Sequence, residues 1–367
     1  MARVGLWRWP LPTSAAFHEV EFSELPGFSQ DELRQAWPAL VSSSKQIRER
    51  PGDAPALLLH LARRVLDFSP RCEADIRAWM EANLVAHRIG STRFGNETQP
   101  FVTGYFEPDV SASRTRNAAH TEPARGRPAD LVDQPVADGA LSFMSSRRCP
   151  EGQLIPYWSR EHIDAGLSAA PPLVWLSDAV ELFIAQVQGS ARLRFEDGSR
   201  ARLAYAGKNG HPYVSLGKIL IQEGMVSPDA MSLETLAACL RDLLNDPAVG
   251  RSILHRNPSY VFFRIDDDDP VSGPLGAQGV PLTPFRSIAI DRTIWPFGLP
   301  FWVSGFFPWG EGNEAFCRLM IAQDTGSAIV GPGRGDIFCG SGDEAGRLAG
   351  LLRHEVDLYV LTPRVLE

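Results

Sequence analysis

Apolar residues at helical spacing organise the first quarter of the chain. Leu33, Ala36, Trp37 and Leu40 recur three and four positions apart, which predicts an amphipathic helix. Ser29-Gln30-Asp31-Glu32 just before it has the capping-box pattern. Leu58, Leu61, Ala62, Val65 and Leu66 predict a second helix, and Ile76, Trp79, Met80 and Leu84 a third. These stripes read as core packing. Residues 1–25 show no period and read as an extended arm.

The texture changes at Phe101-Val102-Thr103-Gly104-Tyr105-Phe106-Glu107-Pro108, where short aromatic strands and turns replace helices. Residues 111–150, rich in Arg, Ala, Pro, Ser and Asp, read as long surface loops. Asp178–Gln188 reads as a helix. Leu193–Tyr205 reads as a hairpin about Asp197-Gly198, with Leu193, Phe195, Ala201, Leu203 and Tyr205 on one face. Gly207–His211 is a tight turn feeding a helix over Ser215–Glu223, closed by Gly224. Short helices near 232–245 and 248–256, then a strand at Asn257–Phe263, complete this region. Beyond the acidic turn Asp266–Asp269, strand and turn alternate, so residues 270–367 predict a small β-barrel.

In that last module three apolar strands run into an aspartate: Ser287–Ile290 into Asp291, Leu319–Ala322 toward Asp324, and a Gly-rich turn into Asp336. Asp324 and Asp336 are twelve positions apart, with Gly326, Gly331, Pro332, Gly333 and Gly335 between them. Glycines there let other groups approach the backbone closely. The arrangement suggests a carboxylate site, with Asp336 a candidate general acid and base. The plainer reading is that each Asp caps its own turn.

Composition narrows the chemistry. The 367 residues suit about two domains, and a 44% apolar share supplies a core. The net charge of −8 argues against nucleic acid as partner. No run reaches the eighteen or so apolar residues of a membrane span. The N-terminus, Met1–Pro10, shows no signal h-region. Five scattered cysteines form no CxxC and read as buried free thiols, with a bridge between Cys317 and Cys339, which flank the two-aspartate segment, the lesser alternative. None of HExxH, GxSxG or GxxxxGK[ST] occurs, and the histidines form no metal-spaced pair. Gly340–Gly346 has the wrong spacing for a dinucleotide fingerprint. Arg334-Gly335-Asp336 spells an adhesion tripeptide, a pattern frequent by chance. The nine Trp are many for this length, and aromatics near polar turns suit stacking on sugar rings.

Taken together, Thr103–Pro108, Val187–Ser190, Tyr205–His211, Ser215–Ile221, Asn257–Phe263, Gly279–Thr283, Asp291–Ile294 and the two-aspartate stretch follow one family's order over about 101–350. The chain resembles the membrane-bound lytic murein transglycosylase A family. The resemblance implies a mainly β chain with N-terminal helices (α+β). It implies a double-psi β-barrel domain built from 1–105 and 265–367, and a second β-domain inserted at 106–264, with a sugar groove between them. Asp336 would be the catalytic acid/base, with Asp324 and Asp291 in support. Gln188, Gly189, Ser190, Lys208, Asn209 and Gly210 occupy turns that offer donors and acceptors without bulk, as sugar recognition requires. Tyr105 and Gly333 complete the expected binding set. Family members are lipoproteins of the periplasm and outer membrane, and the signal and lipidated Cys are not visible in this N-terminus. The loops at 111–150 and 303–316 follow no family pattern.

The implied reaction needs one carboxylic acid. It protonates the leaving N-acetylglucosamine oxygen, then deprotonates the muramic 6-hydroxyl, which attacks C1 and closes a 1,6-anhydro ring. No metal or organic cofactor is needed. The expected partners are peptidoglycan glycan strands and cell-wall synthesis or remodelling proteins, with the chain a monomer. The competing readings are a two-carboxylate hydrolase and a non-catalytic wall-binding module. A paired-aspartate protease fits poorly, because Asp324-Thr325-Gly326 does not repeat.

Overall fold

The computed structural model describes residues 11–13, 15–93, 96–135, 143–148, 152–266, 272–309 and 312–364. Cys149, Met1–Pro10 and the acidic turn beyond Asp266 lie outside the described residues. The fold is mainly β with N-terminal helices, and the chain divides into two compact units. The first comprises Met1–Tyr105, Gly273–Gly340 and Leu351–Glu367, and the second Phe106–Ser272 and Ser341–Gly350. The stretch Ser341–Gly350, read from the sequence as part of the first domain, thus groups with the second unit. It holds all but the last residue of the helix Asp343–Leu351, an element absent from the sequence expectations.

In the first unit the predicted helices form over Leu33–Glu49, Ala56–Leu66 and Glu73–Asn83. Their predicted apolar residues up to Met80 are buried, apart from the half-buried Leu66. Two expectations fail. The first helix starts after Glu32, with no side-chain cap bond and no box from Ser29. Asp31 is instead drawn inward to Arg286, which holds both its oxygens at 2.8 and 2.9 Å. That buried bidentate pair outweighs a local cap. The extended arm includes a strand, Ala15–Val20, paired antiparallel with Leu84–Arg93. Leu84, taken as the end of the third stripe, opens that strand instead.

Ten strands make one nearly closed sheet among the described residues. In spatial order they are Ala15–Val20, Leu84–Arg93, Asp357–Pro363, Pro300–Phe307, Glu314–Asp324, Ser287–Ile290, Arg334–Ser341, Phe101–Glu107 and Arg353–Glu355, with Asn96–Thr98 added beside Leu84–Arg93. Trp295, Trp302, Phe301, Phe307, Phe316 and Phe338 are fully buried, with Phe301 packed on Trp295 from one face of its strand and Trp302 on Phe28 from the other. Alternation matters little here. Ser287–Ile290 is buried at all four positions, as a strand covered on both faces must be.

A buried polar network ties the first helix to this sheet. Gln323 donates to the carbonyl of Ala39 at 3.0 Å and to Ser43 Oγ at 2.9 Å, while accepting from Ser287 Oγ at 2.5 Å. Ser43 in turn donates to Gln278 Oε1 at 2.8 Å. Every link is inaccessible to water, so its loss would leave unpaired polar groups. The network fixes the residue immediately before Asp324.

The second unit carries a six-stranded sheet in the order Val261–Asp266, Arg200–Lys208, Ala191–Phe195, Asp109–Ser113, Pro172–Leu176 and Glu122–Arg125, plus a three-stranded sheet, Val132–Pro135, Phe143–Arg148 and Leu154–Pro156. The predicted hairpin forms, with Leu193 opposite Ala201. Tyr205 leaves the predicted apolar face and is exposed. The register shifts between Tyr205 and Gly207, and a bulge re-aims the side chains beside it. Helices at Ala179–Gln188, Leu216–Gln222, Leu233–Leu243 and Pro247–His255 open on Asp178, Ser215, Ser232 and Asp246, each of which accepts a backbone N–H. Four described cysteines are free thiols, but only Cys339 is buried; Cys72 is exposed. Among the described residues no helix is long and apolar enough to cross a membrane.

Candidate active site

The site grows from strand register inside the first unit. Ser287–Ile290 pairs parallel with Glu314–Asp324 on one side and antiparallel with Arg334–Ser341 on the other. Ala289 is in register with Asp324 on the first side and with Asp336 on the second. Two carboxylates therefore flank one apolar residue. The glycine before Asp336 packs closely on its neighbours: a Cβ on Gly335 would lie 2.7 Å from Ile288 Cδ1, which would have to move. The Gly335-Asp336 pair thus reflects a close approach between neighbouring strands.

Asp336 is half-buried and held by the next strand. Thr103 Oγ1 donates to Asp336 Oδ1 at 2.5 Å. Arg334 Nη2 donates to Thr103 Oγ1 at 2.6 Å. Arg334 also donates to the Gly335 and Phe101 carbonyls and lies over the Phe101 ring. Burial pushes the Asp336 carboxyl up to about 6; the Thr103 bond and the Arg334 charge pull against that, and Asp324 adds to it. Arg334 is itself shifted down by burial, while Asp336 opposes the shift. A carboxyl in that range can hold a proton or release it near neutral pH.

Asp324 is bound quite differently. Tyr105 donates its hydroxyl to Oδ2 at 2.8 Å, and the backbone N–H groups of Ala277 and Thr325 donate to Oδ1, each at 2.9 Å. Burial raises its pKa and these three donors oppose the rise. Two backbone donors and a phenol suit the ionised, acceptor-only form. Tyr105, expected to face substrate, thus spends its hydroxyl on Asp324. Burial, followed by the charges of Asp324 and Asp336, pushes its own phenol well up.

Asp291 is a scaffold residue. Oδ1 accepts from Thr293 N at 3.0 Å and Thr293 Oγ1 at 2.6 Å, and Oδ2 accepts from Gly331 N at 2.8 Å. It closes its own turn and clamps the Gly-rich loop that delivers Arg334 and Asp336. Trp295 Nε1 reinforces the clamp through the Pro332 carbonyl at 3.0 Å. Gly333 is buried rather than open to a ligand: its carbonyl accepts from Phe101 N at 2.8 Å, and an added Cβ would meet Pro100 Cα at 3.3 Å.

The other expected residues belong to the second unit. Gln188 Oε1 accepts from Phe106 N at 3.0 Å, Gly189 ends its helix at φ 86°, and Ser190 is buried. Asn209 is a latch. It is 1% exposed, donates to the carbonyls of Trp158 and Pro258 at 2.9 and 2.8 Å, and accepts from Tyr260 N at 2.9 Å. Its amide has no bond left for a sugar. Lys208 is half-buried, its pKa is lowered by burial, and its ammonium makes no hydrogen bond or ion pair among the described residues. Gly210 supplies a φ of 79°.

Sequence reasoning missed Thr103, Arg334 and Ala277. Thr103 and Tyr105 sit two apart on one strand, so their side chains share a face. That alternation was the available signal. Arg334 was noticed only within a tripeptide, and the structure engages it inside the unit.

Comparison with known proteins follows this geometry. The model of the MltA specific insert domain matches residues 101–264, and that of the 3D domain residues 286–362. The membrane-bound lytic murein transglycosylase A of Escherichia coli strain K12 is 34% identical over 299 residues, 79% of this chain and 73% of that protein. A crystal structure of membrane-bound lytic murein transglycosylase from Agrobacterium tumefaciens superposes with a TM-score of 0.80 at 35% identity, covering 95% of this chain and 98% of that one. The E. coli MltA structure with bound chitohexaose gives a TM-score of 0.66 at 28% identity, covering 97% and 96%.

Proposed function

This chain belongs to the membrane-bound lytic murein transglycosylase A family, and from that premise we propose that it is a peptidoglycan lytic transglycosylase whose single acid and base is Asp336. The observation that supports one carboxyl rather than two is the contrast between the aspartates. Asp324 accepts three hydrogen bonds. Among the described residues Asp336 has only Thr103 as a hydrogen-bond donor, and its pKa is pushed up to about 6. Three donors favour the Asp324 carboxylate against the upward pull of burial, whereas Asp336 can cycle a proton.

The steps follow from that difference. Protonated Asp336 gives its proton to the oxygen that links muramic acid C1 to the leaving N-acetylglucosamine. The C1–O bond breaks with charge building on the ring. The carboxylate then removes the proton of the 6-hydroxyl as O6 bonds to C1. Asp336 ends protonated, ready for the next cut. The nucleophile is tethered to the ring it attacks, so it acts at an effective concentration bulk water cannot match. The nearby Asp324 carboxylate keeps the pKa of Asp336 up and adds negative charge beside a developing cation.

The glycan strand would be gripped by groups including Lys208, Gly210, Gln188 and Gly189. The chain would work in the periplasm at the sacculus, attached to the outer membrane and close to cell-wall remodelling proteins. Product analysis tests the reaction. Digested sacculi should yield fragments ending in 1,6-anhydro-N-acetylmuramic acid, which resist borohydride and are one water lighter than hydrolysis products. Mainly borohydride-reducible ends would make the protein a two-carboxylate hydrolase, with Asp324 the first candidate for the second group.

A further inference from the structure

Asp336 has two oxygens, and the hydrogen bonds around it distinguish them. Arg334 has only donors, so at its 2.6 Å contact Thr103 Oγ1 must be the acceptor. A threonine hydroxyl has one proton. With the Arg334 donor on its lone pair, that proton is free to point along the 2.5 Å contact to Asp336 Oδ1. Oδ1 accepts from Thr103 when Asp336 is ionised. Keeping that bond on protonation places the carboxyl proton on Oδ2.

We propose that Thr103, oriented by Arg334, is the positioning residue that confines the transferable proton of Asp336 to Oδ2. The same oxygen then acts in both halves of the reaction. Oδ2–H gives its proton to the leaving glycosidic oxygen as the C1–O bond breaks. Oδ2, now anionic, takes the 6-hydroxyl proton as the O6–C1 bond forms. The carboxyl need not rotate between steps. This inference rests on the single-acid reading above.

The surrounding groups set what else could perform this role. Thr103 and Tyr105 face Asp336 from their strand, and Arg334 and Cys339 from its own. Asp324 faces it from Glu314–Asp324. The strand Ser287–Ile290 offers no titratable side chain. Tyr105 is committed to Asp324, and the Cys339 thiol points to the Ile337 carbonyl at 3.5 Å. Thr103 is the hydroxyl in place.

The test compares Thr103→Val, Thr103→Ser and Asp336→Asn on purified sacculi, with kcat/KM followed against pH. Thr103→Val removes the donor at nearly constant shape. Losing a hydrogen bond to the ionised form should raise the alkaline limb by about one pH unit and lower the plateau roughly tenfold. Thr103→Ser should restore both. Isotope-edited infrared difference spectra at pH 5 should show the protonated Asp336 carbonyl stretch moving to higher wavenumber in Thr103→Val, because Oδ1 no longer accepts a bond. Should Thr103→Val not fold, Arg334→Gln takes its place. It frees the hydroxyl and removes a nearby cation, and should also raise the limb. An unmoved limb and stretch in the folded variant, with Asp336→Asn inactive, would overturn the role of Thr103 and leave the single acid standing. Turnover by Asp336→Asn would overturn the single acid itself.

Discussion

Asp324 and Asp336 are in register with the same residue, Ala289, from opposite neighbouring strands. Their sequence separation is bridged by a Gly-rich loop, so the pairing is a product of the sheet. Burial dominates the raised pKa of Asp336, and Asp324 contributes a smaller part of the same sign. Asp324→Asn should therefore move the alkaline limb of kcat/KM to lower pH while leaving measurable turnover. A limb that stayed in place would show that Asp324 carries no charge felt by Asp336 in the free enzyme.

Asp336→Asn should be far more damaging, because an amide cannot cycle a proton. Loss of general acid–base work typically costs about 10²–10⁴-fold, and one group here does both jobs. Release of soluble muropeptides from sacculi measures it.

The same substitution should stabilise the fold, and the pH dependence has a definite sign. Below the ordinary value of 3.8 the Asp336 carboxyl is protonated in both folded and unfolded chains and has no effect on stability. Between 3.8 and about 6 the unfolded chain loses the proton first, so the native state loses stability as pH rises. The full loss, on the order of 2–3 kcal/mol, is present above pH 7. Urea midpoints should show Asp336→Asn more stable than wild type at pH 7.5 and equal to it near pH 4. A gain that persisted unchanged at pH 4 would assign it to something other than the buried charge.

The parts legible in the sequence were those set by local pattern. Helical stripes such as Leu58–Val65 repeat at their own period whatever packs on them. The aspartates stood out because apolar strands run into Asp291 and Asp324 and a Gly-rich turn runs into Asp336. The parts hidden were those set by distant partners. Ser29–Glu32 has a capping-box pattern, but Asp31 answers to Arg286, 255 positions away. Leu84-Val85-Ala86 continues a helical stripe and equally begins a strand; pairing with Asp357–Pro363 and Ala15–Val20 decides between them. Thr103 reads as a strand residue and Tyr105 as a substrate contact because their carboxylate partners lie 233 and 219 positions on.

Asp291 should behave as a structural residue. Its three accepted bonds hold Thr293 and Gly331, and it reaches Asp336 only through the loop. Asp291→Ala should cost about 1–3 kcal/mol of stability. Activity should fall through loosened geometry, with both limbs of the pH profile in place. A shifted limb would mean that the Asp291 charge is felt at Asp336 directly.

Lys208 and Asn209 are neighbours in sequence with opposite expected behaviour. Asn209 is buried, and its amide joins the segments at Trp158, Pro258 and Tyr260. Asn209→Ala takes this partner from the Trp158 carbonyl and from the Tyr260 and His211 N–H groups, while Pro258 keeps the Arg160 N–H, which should cost about 2–4 kcal/mol. Molecules that still fold should bind sugar normally. Lys208 is half-buried at a cost to its charge, and no described residue offsets that cost. An ammonium in that state gains most from acceptors supplied by a ligand. Lys208→Ala, made in an Asp336→Asn background so that nothing is cut, should leave the melting temperature within a few degrees. It should weaken chitohexaose binding about 5–10-fold, the worth of one charge-assisted hydrogen bond. Calorimetric titration and thermal melts of the two variants separate the roles. Unchanged affinity in Lys208→Ala would remove Lys208 from the glycan site, and the search for sugar contacts would move to Gly210 and the turn at Gln188–Ser190.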